Sequence, residues 1–549
     1  MQFRLCIGKI FCGPTVLLAG LLIVTSMIAE ADAHPDAITE TILEHVARHA
    51  DTVLENARDT FADTPTPLLA DAINLRETAP ATLTHRNNSY VICNLANHQN
   101  FLRVLAGLSA LTGEARYRET AETIVAWLFD HLRSECGLLH WGGHRAFDLK
   151  SREYVTRNIH ELKHNFPFYE LMWEVNPEAT AQFIRAFWNA HILDWDVLDM
   201  NRHGSYGRSM GDLWDSEFTG APPFFAGRGL TFINTGDDLI YSALMLHNLA
   251  DDTGALTWGM RLAQQYVNAR HPETGLGVYQ YSQAIRRADP PEDENAPNFT
   301  YSTFGDRTQR QFGPEFGEIA LEGNYLPNDR SIYSLNALMQ LQMAEMLGDA
   351  GEAMRDYTLD GMRAYAQHAY NFENNTLTPM FADGTSLDGY EIKRRGYHGN
   401  AGRVIEASSA STALLHSYSL AYRISGDPAL WTVVRGIARG HGLGDFGEPG
   451  SDPPDIHWDT DNSDPRAIFA LLEIERATGN EAYTRLASAV AQNIIEQRFH
   501  KGMFASSADT TRASIDTIEP LALLTLVAHM RGEPEAVPVY RGGRAFFSP

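Results

Sequence analysis

Cysteine is nearly missing from this sequence. The 549-residue chain has four, and Cys6 and Cys12 stand in the N-terminal segment 1–33, which leaves Cys93 and Cys136 for the remainder. No Cys-x-x-Cys pair and no Cys/His zinc spacing occurs there, which argues against redox or structural-zinc chemistry. One disulfide or two buried thiols both fit the count. Positive charge is also scarce. The 44 Lys and Arg face 69 Asp and Glu, a formal net charge of −25, so general binding to nucleic acid or to an anionic membrane surface is not expected. An acidic polymer stays admissible as a ligand only where the few cations gather in one cleft. Long apolar runs are absent beyond residues 10–28. That run follows Arg4 and Lys9, contains Gly13 and Pro14, and ends at Ala31-Asp32-Ala33. This is the pattern of a secretory signal peptide cleaved after Ala33. The expectation is a periplasmic or extracellular protein, free of the membrane after cleavage, with residues 34–549 as one domain. His-Glu-x-x-His, Gly-x-Ser-x-Gly, P-loop and dinucleotide fingerprints are all missing.

What the chain does contain is repetition. A turn returns as "TGEARY" at 112, "NPEATA" at 176, "TGALTW" at 253, "GEAMRDY" at 351, "GDPALW" at 426, "TGNEAY" at 478 and "GEPEAV" at 532. Gly stops one helix in a left-handed residue, and Asp, Asn or Glu with Pro starts the next. The segments before the turns, near 97–111, 166–175, 236–250, 331–347, 408–424, 465–477 and 516–530, are apolar on more than one side. Those after them, such as "EAYTRLASAVAQNIIEQRF", carry one charged face. The first kind belongs inside and the second outside. The last turn lacks an outer helix because "GEPEAVPVYRGG" is broken by prolines, and the amphipathic segment 36–62 can supply it. This predicts an all-α fold, an (α/α)7 toroid of helical hairpins with long loops and a few short strands. A six-hairpin barrel or an open solenoid is the competing arrangement.

The long links 134–157, 195–235, 271–330, 372–404 and 441–464 all run from an outer helix to the next inner one, so they share one mouth. Only "RRADPPEDENAPN" among them reads as mobile. These links and the starts of the inner helices, among them a polar helix entrance at Asn158 to Asn165, bring Asn, His, Arg and Tyr to that mouth in "HRNNSYVICNLANHQN", "LLHWGGHRAF", "NIHELKH", "DMNRHGSYGR" and "EIKRRGYHGNAGR". The last places Lys393, Arg394, Arg395, His398 and Arg403 close together in an otherwise acidic chain, as a carboxylate site requires. In "LLHWGGHRAF", Trp141 beside His140, His144 and Arg145 suits a sugar ring that bears a carboxylate. Asn97, Lys163, Asn201 and Arg202 complete the expected substrate-binding set. "DTDNSD" at 459 lacks the glycine and distal glutamate of a calcium loop and reads as a helix cap before Pro465. No metal ligand and no cofactor is expected.

Two reactions on saccharides suit such a mouth. A glycoside hydrolase needs two opposed carboxylates, for which Asp237, Asp238, Asp212, Asp215 and Glu161 are candidates, although Asp237 and Asp238 also suit helix caps. A polysaccharide lyase removes the C5 proton of a uronate and expels the 4-linked sugar. It needs cations and amides against the carboxylate and a proton-transferring group, which the residue set matches better. The segments "NIHELKHNFPFYELMWEV", "AFWNAHILDWDVLDMNRHGSYG" and "YHGNAGRVIEASSASTALLHSYSLAYR" resemble the secreted polysaccharide lyases of family 38. That resemblance implies an (α/α)7-barrel enzyme that acts by β-elimination on glucuronan or alginate. It also implies Asn158 and His160 as the neutralising pair near Lys163, His203 as a second neutraliser or base, and Tyr397 or Tyr206 as the proton-transferring tyrosine. Glu161 is left to orient His160 or Lys163. An (α/α)-barrel hydrolase and a non-catalytic glycan-binding protein remain as alternatives.

Overall fold

The computed structural model describes residues 35–85, 87–221, 223, 230–281, 307–327, 331–449 and 455–543. The signal segment and "RRADPPEDENAPN" lie outside the described residues.

The repeated turn does what its chemistry dictates. Gly113, Gly426 and Gly479 take up left-handed φ of 77°, 64° and 69° and end their helices. The side chains of Asn176, Asp252, Asp427 and Asp464 accept from backbone N–H groups in the first turn of the helix that follows each. Three of these caps precede a proline that needs no N–H partner.

The helices alternate in burial. The inner set is α2 (Gln99–Thr112), α4 (Tyr169–Val175), α6 (Ile233–Ala250), α9 (Ala337–Leu347), α11 (Thr412–Ser425), α13 (Pro465–Thr478) and α15 (Glu519–Met530). The outer set is α1 (Pro35–Asn56), α3 (Ala115–His131), α5 (Pro177–His191), α7 (Thr253–Asn268), α10 (Glu352–Ala369), α12 (Pro428–Gly440) and α14 (Ala482–Arg498). On α14 the buried residues are Tyr483, Leu486, Ala487, Val490, Ala491 and Ile494, a single stripe at helical spacing. On α6 everything from Ile233 to Leu246 is buried, so its sequence shows no stripe.

Inner helices touch in the order α4, α6, α9, α11, α13, α15, α2. The step from α2 back to α4 is made by Arg103, which is buried and donates to the carbonyl of Phe166 at 2.7 Å, and by Gln99, which accepts from Phe168 N at 2.7 Å. The ring is therefore closed, with seven hairpins, which excludes the six-hairpin and solenoid arrangements. Helix α1 packs on α15, α2 and α14 as the seventh outer helix. After α15 the chain turns into the barrel axis, where Val537 meets Gly107, Tyr540 stacks on Phe469 at 4.8 Å and Gly542 lies against Phe166.

The long links gather at one end as short antiparallel pairs. The extra helix α8 (Arg307–Phe316) stands there on a small apolar core of its own, built from Phe312, Ala320, Tyr325, Phe381, Leu387, Ile392 and Ile405.

Candidate active site

Helix α4 begins only at Tyr169. The polar residues before it do not lie on a helix entrance, as the sequence pattern suggested. They run as an irregular extended wall, and His164 and Phe166 turn the chain into α4 with φ of 57° and 44°. His160 forms an antiparallel bridge with Gly204, and Glu161 a parallel one with Gly142. Extended backbone sends successive side chains to opposite sides, and that alternation separates His160 from Glu161.

His160 points into the protein. It is fully buried, accepts from Trp141 Nε1 at 3.3 Å and meets His191 Nε2 at 2.9 Å through Nδ1. Burial first, and the neighbouring imidazoles second, hold its pKa well below the ordinary value. It is a neutral structural residue that ties the 160 wall to the 204 turn, and the role of carboxylate neutraliser expected for it does not fit this position. Gly204 has to be glycine, because a Cβ there would lie 2.4 Å from His191 Nε2.

Glu161 points the other way and becomes the centre of the site. Its side chain is 0 % exposed, and four nitrogen-bearing groups surround it. Lys163 Nζ lies 2.8 Å and His144 Nε2 3.1 Å from Oε2, while Arg202 Nε and His203 Nε2 each lie 3.5 Å from Oε1. Burial alone would raise this carboxyl. The His203 imidazole, the Lys163 ammonium and the Arg202 guanidinium outweigh it and hold the pKa at about 2. Glu161 is therefore ionised at every physiological pH. The backbone holds it from behind, since Gly143 N donates to its carbonyl at 2.7 Å and a Cβ on Gly143 would sit 2.5 Å from Oε2. The Gly142-Gly143 pair thus serves the approach of a carboxylate as well as a turn. Asn94 completes the frame, with its side chain donating to Gly142 O at 2.7 Å and accepting from Gly142 N at 2.9 Å.

The expected site residues separate into groups. The structure unites His144, Lys163, Arg202 and His203 around Glu161, and Asn201 supports them by accepting from His203 N at 2.9 Å. Asn97 stands beside them, accepting from Asn165 Nδ2 at 3.3 Å, and Asn165 Oδ1 in turn receives Lys163 N. Trp141 is core, packed edge-on against Phe183. His140 is stacked between Tyr154 and Tyr206, and the Arg145 guanidinium covers the Tyr154 ring at 4.4 Å. Tyr206 is buried, donates to Leu139 O at 3.0 Å and has its pKa driven above the ordinary tyrosine value by burial, so it is no proton acceptor. Asn158 is exposed on the rim.

The basic loop belongs to the platform of α8. Arg394 pairs with Glu315 and donates to Gln311 O, His398 meets Thr308 Oγ1 at 2.9 Å, and Arg403 donates to His398 O at 3.1 Å. Arg395 is exposed at the same tip. Tyr397 is 54 % exposed with the Arg307 guanidinium 3.8 Å from its ring centroid. These contacts tie Tyr397 to α8, not to the Glu161 wall, so the catalytic tyrosine expected here finds no support in its surroundings.

The candidate hydrolase acids are structural or peripheral. Asp238 is buried and accepts from Phe166 N at 2.8 Å and Asn165 N at 3.3 Å, so it caps the approach to α4 from the neighbouring helix. Asp237 receives Gln340 Nε2 at 3.3 Å. Asp516 does for α2 what Asp238 does for α4, accepting from Phe101 N at 2.8 Å. Asp212 and Asp215 are exposed beside the short turn Leu213–Asp215. Cys93 and Cys136 are both free thiols, and Cys136 Sγ approaches Tyr206 O at 3.2 Å.

A metal site was not expected from the sequence, yet His144, Glu161 and His203 offer ligand atoms within 4.8 Å of one another. Among the described residues, neither Glu161 oxygen nor His203 Nε2 makes a well-formed hydrogen bond, although all three are buried. Two imidazoles and one carboxylate suit a borderline divalent cation such as Zn²⁺, Mn²⁺ or Fe²⁺, so the residues fit such an ion. Glu161, the ligand that joins the other groups, was the one given a supporting role in the sequence. Its available signal was a carboxylate between His160 and Lys163 opposite a Gly-Gly-His.

A family model for periplasmic pectate lyases matches residues 66–549. The pectate disaccharide-lyase of Dickeya dadantii (strain 3937) is 36 % identical over 489 residues, covering 86 % of this chain and 87 % of that protein. Among solved structures, a D-mannose isomerase aligns over 84 % of this chain and 99 % of its own at 11 % identity and a TM-score of 0.43. A GH76 α-mannanase of Bacteroides thetaiotaomicron aligns over 91 % and 98 % at 8 % identity and 0.40. The polysaccharide-lyase class read from the sequence holds, and the narrower resemblance to family 38 gives way to this match. The description of the family as periplasmic agrees with the expected secretion, and among the described residues no helix is long and apolar enough to cross a membrane. The chain belongs to the periplasmic pectate lyase family and is a polysaccharide lyase.

Proposed function

We propose that the protein cleaves pectate, the 1,4-linked polymer of galacturonate, by β-elimination at the wall built on Glu161. The observation that carries this reading is a buried, fully ionised carboxylate ringed by His144, Lys163, Arg202 and His203 in a protein of net charge −25. Its support from outside the site is the naming of the family and of its Dickeya dadantii relative for pectate.

Removing the C5 proton of a uronate leaves charge on the adjacent carboxylate, so the site must hold positive charge there before the reaction begins. A divalent cation held by His144, Glu161 and His203 would add to that charge and make the C5 proton more acidic. Lys163 and Arg202 border the Glu161 carboxylate, Lys163 as half of an ion pair and Arg202 resting 4.8 Å above the Phe232 ring. If His144 and His203 serve as ligands of such a cation, Lys163 and Arg202 are the side chains left for the remaining work. One would anchor the substrate carboxylate as a cation, and the other, after releasing its own proton to solvent, would take the C5 proton and return it to the departing O4. Replacing the anchor raises chiefly KM, and replacing the proton acceptor removes kcat.

The deciding assay is absorbance near 235 nm, where a 4,5-unsaturated uronate absorbs, with pectate, glucuronan, polymannuronate and polyguluronate supplied in turn. A rise on pectate, lost after chelation and restored by a divalent ion, supports the reading. A rise on glucuronan or alginate alone refutes the assignment to pectate, and new reducing ends without absorbance refute elimination.

A further inference from the structure

A polar cavity opens beside the Glu161 wall, with Asn97 in its lining. Its volume is about 240 Å³, and Asp71, Ala72, Leu83, Ile92, Asn97, Arg512 and Ser514 line it. That volume falls below the roughly 300–1,000 Å³ of a site for a drug-sized ligand, so it suits one sugar ring and not an oligomer. The walls divide by chemistry. Leu83, Ile92 and Ala72 offer the apolar surface on which the carbon face of a pyranose rests, while Asn97 and Ser514 offer hydrogen-bonding groups.

Arg512 is the unusual member. It is exposed on the strand Arg512–Ser514, which pairs with Ala72–Asn74 in the register Asn74↔Arg512 and Ala72↔Ser514. Arg512 and Ser514 are two residues apart and so project to the same face, while Ala513 between them is buried on the other. Other arginines are committed to acids, Arg394 to Glu315, Arg435 to Asp445 and Arg498 to Glu519. The Arg512 side chain enters no ion pair and no hydrogen bond among the described residues. The acid in the same cavity, Asp71, is already engaged by His98 Nε2 at 2.8 Å and Asn94 N at 2.6 Å.

The cavity is joined to the reaction centre by a short relay. Asn97 accepts from Asn165 Nδ2 at 3.3 Å, Asn165 Oδ1 accepts from Lys163 N at 2.8 Å, and Lys163 Nζ contacts Glu161 at 2.8 Å. We infer that this cavity is a neighbouring sugar subsite and that Arg512 recognises the free carboxylate of the galacturonate it holds. Arg512 thereby makes the enzyme prefer de-esterified over methyl-esterified chain. The inference rests on the pectate reading and names a recognition group within it. Guanidinium presents two parallel N–H donors to a carboxylate, whereas a methyl ester carries no charge to answer them.

The test is the initial rate of 235 nm product formation by wild type, Arg512→Ala and Arg512→Lys on de-esterified and methyl-esterified polygalacturonate, with melting curves as a check on folding. The expected result for Arg512→Ala is a KM on the de-esterified polymer raised about tenfold, kcat within about threefold, and a collapsed preference over the ester. Arg512→Lys should recover part of the preference, which a merely structural arginine would not show. An unchanged KM and unchanged preference in Arg512→Ala overturns the inference while leaving the pectate reading intact. Absence of product from wild type refutes that reading. Calorimetric binding of trigalacturonate then decides the Arg512 question by itself, with a Kd weakened about tenfold in Arg512→Ala in support and an equal Kd, or no binding by wild type, against.

Discussion

Replacing Glu161 by Gln keeps the shape of the side chain and removes the charge on which the site converges. The size of the effect follows from the carboxyl's own titration. Its pKa drops from an ordinary value of about 4.3 to about 2, a difference that corresponds to about 3 kcal/mol favouring the ionised form in the folded protein. The side chain is 0 % exposed, so solvent does not screen this much away. Glu161→Gln should therefore lose about 3 kcal/mol of stability, because Lys163 and Arg202 then face a neutral amide. Turnover should fall at least a hundredfold as one ligand of the proposed cation disappears. The direction with pH is fixed as well. A depressed carboxylate stabilises the fold above its unfolded pKa and loses that contribution as pH falls from about 4.3 to about 2, so the wild-type advantage over Glu161→Gln should shrink across that window. Denaturant midpoints at pH 7 and pH 3, together with 235 nm rates, measure both effects. A variant as stable as wild type at pH 7, or one with a tenth of wild-type turnover, would refute the account of Glu161 as the charged hub.

Three further outcomes follow from the surroundings of other residues. Tyr397→Phe should leave kcat within about twofold, since Tyr397 packs under Arg307 on the α8 platform, and Tyr206→Phe should cost about 1 kcal/mol through its bond to Leu139 O while turnover persists; a loss of turnover above a hundredfold in either would restore a catalytic tyrosine. Asp238→Asn keeps an oxygen acceptor for Phe166 N and should retain activity within about fivefold, whereas a hydrolase that uses this acid would be abolished, as reducing-end assays would show. His49 and His191 are held at about 4 and His416 at about 3, all by burial. These imidazoles protonate first in the unfolded chain, so stability is full above about pH 6.5 and falls by up to about 1.4 kcal/mol per pH unit per histidine as pH drops toward 4. Urea midpoints of wild type and His416→Gln across that range check this, and equal pH slopes would refute it.

The barrel was legible because its information is local. A left-handed glycine after an apolar segment, with Asp-Pro or Asn-Pro next, specifies a helix end and a helix start regardless of what lies elsewhere, and Asp427-Pro428 and Asp464-Pro465 behave in the structure as they read in the sequence. Ring closure was legible only indirectly, through the missing partner after 532 and the amphipathic segment that replaces it. The site was harder to read because its residues are joined by backbone pairing that no short-range pattern encodes. Asn158 to Asn165 looks like a polar helix entrance, yet positive φ at His164 and Phe166 and pairing with Gly142 and Gly204 make it an extended wall.

A change of period from 3.6 to 2 carries most of the consequences. On a helix, His160 and His164 would share a face, and both would look toward substrate. On an extended wall, neighbouring residues part company, so His160 enters the core with His191 and Trp141 while Glu161 enters the site with His144, Lys163, Arg202 and His203. The glycines were the available clue, since Gly143 and Gly204 are the positions where a Cβ would strike the Glu161 carboxylate and the His191 ring. A chain that places glycine opposite both neighbours in the wall has made room for two different side chains on its two faces. The basic loop misled for the opposite reason: its charges are real, but Arg394 meets Glu315 and the loop rests on its own small core around Phe312. Charge density in sequence marks a site only where the fold leaves that charge facing a ligand, and at this mouth the cations proposed to do so are those around buried Glu161.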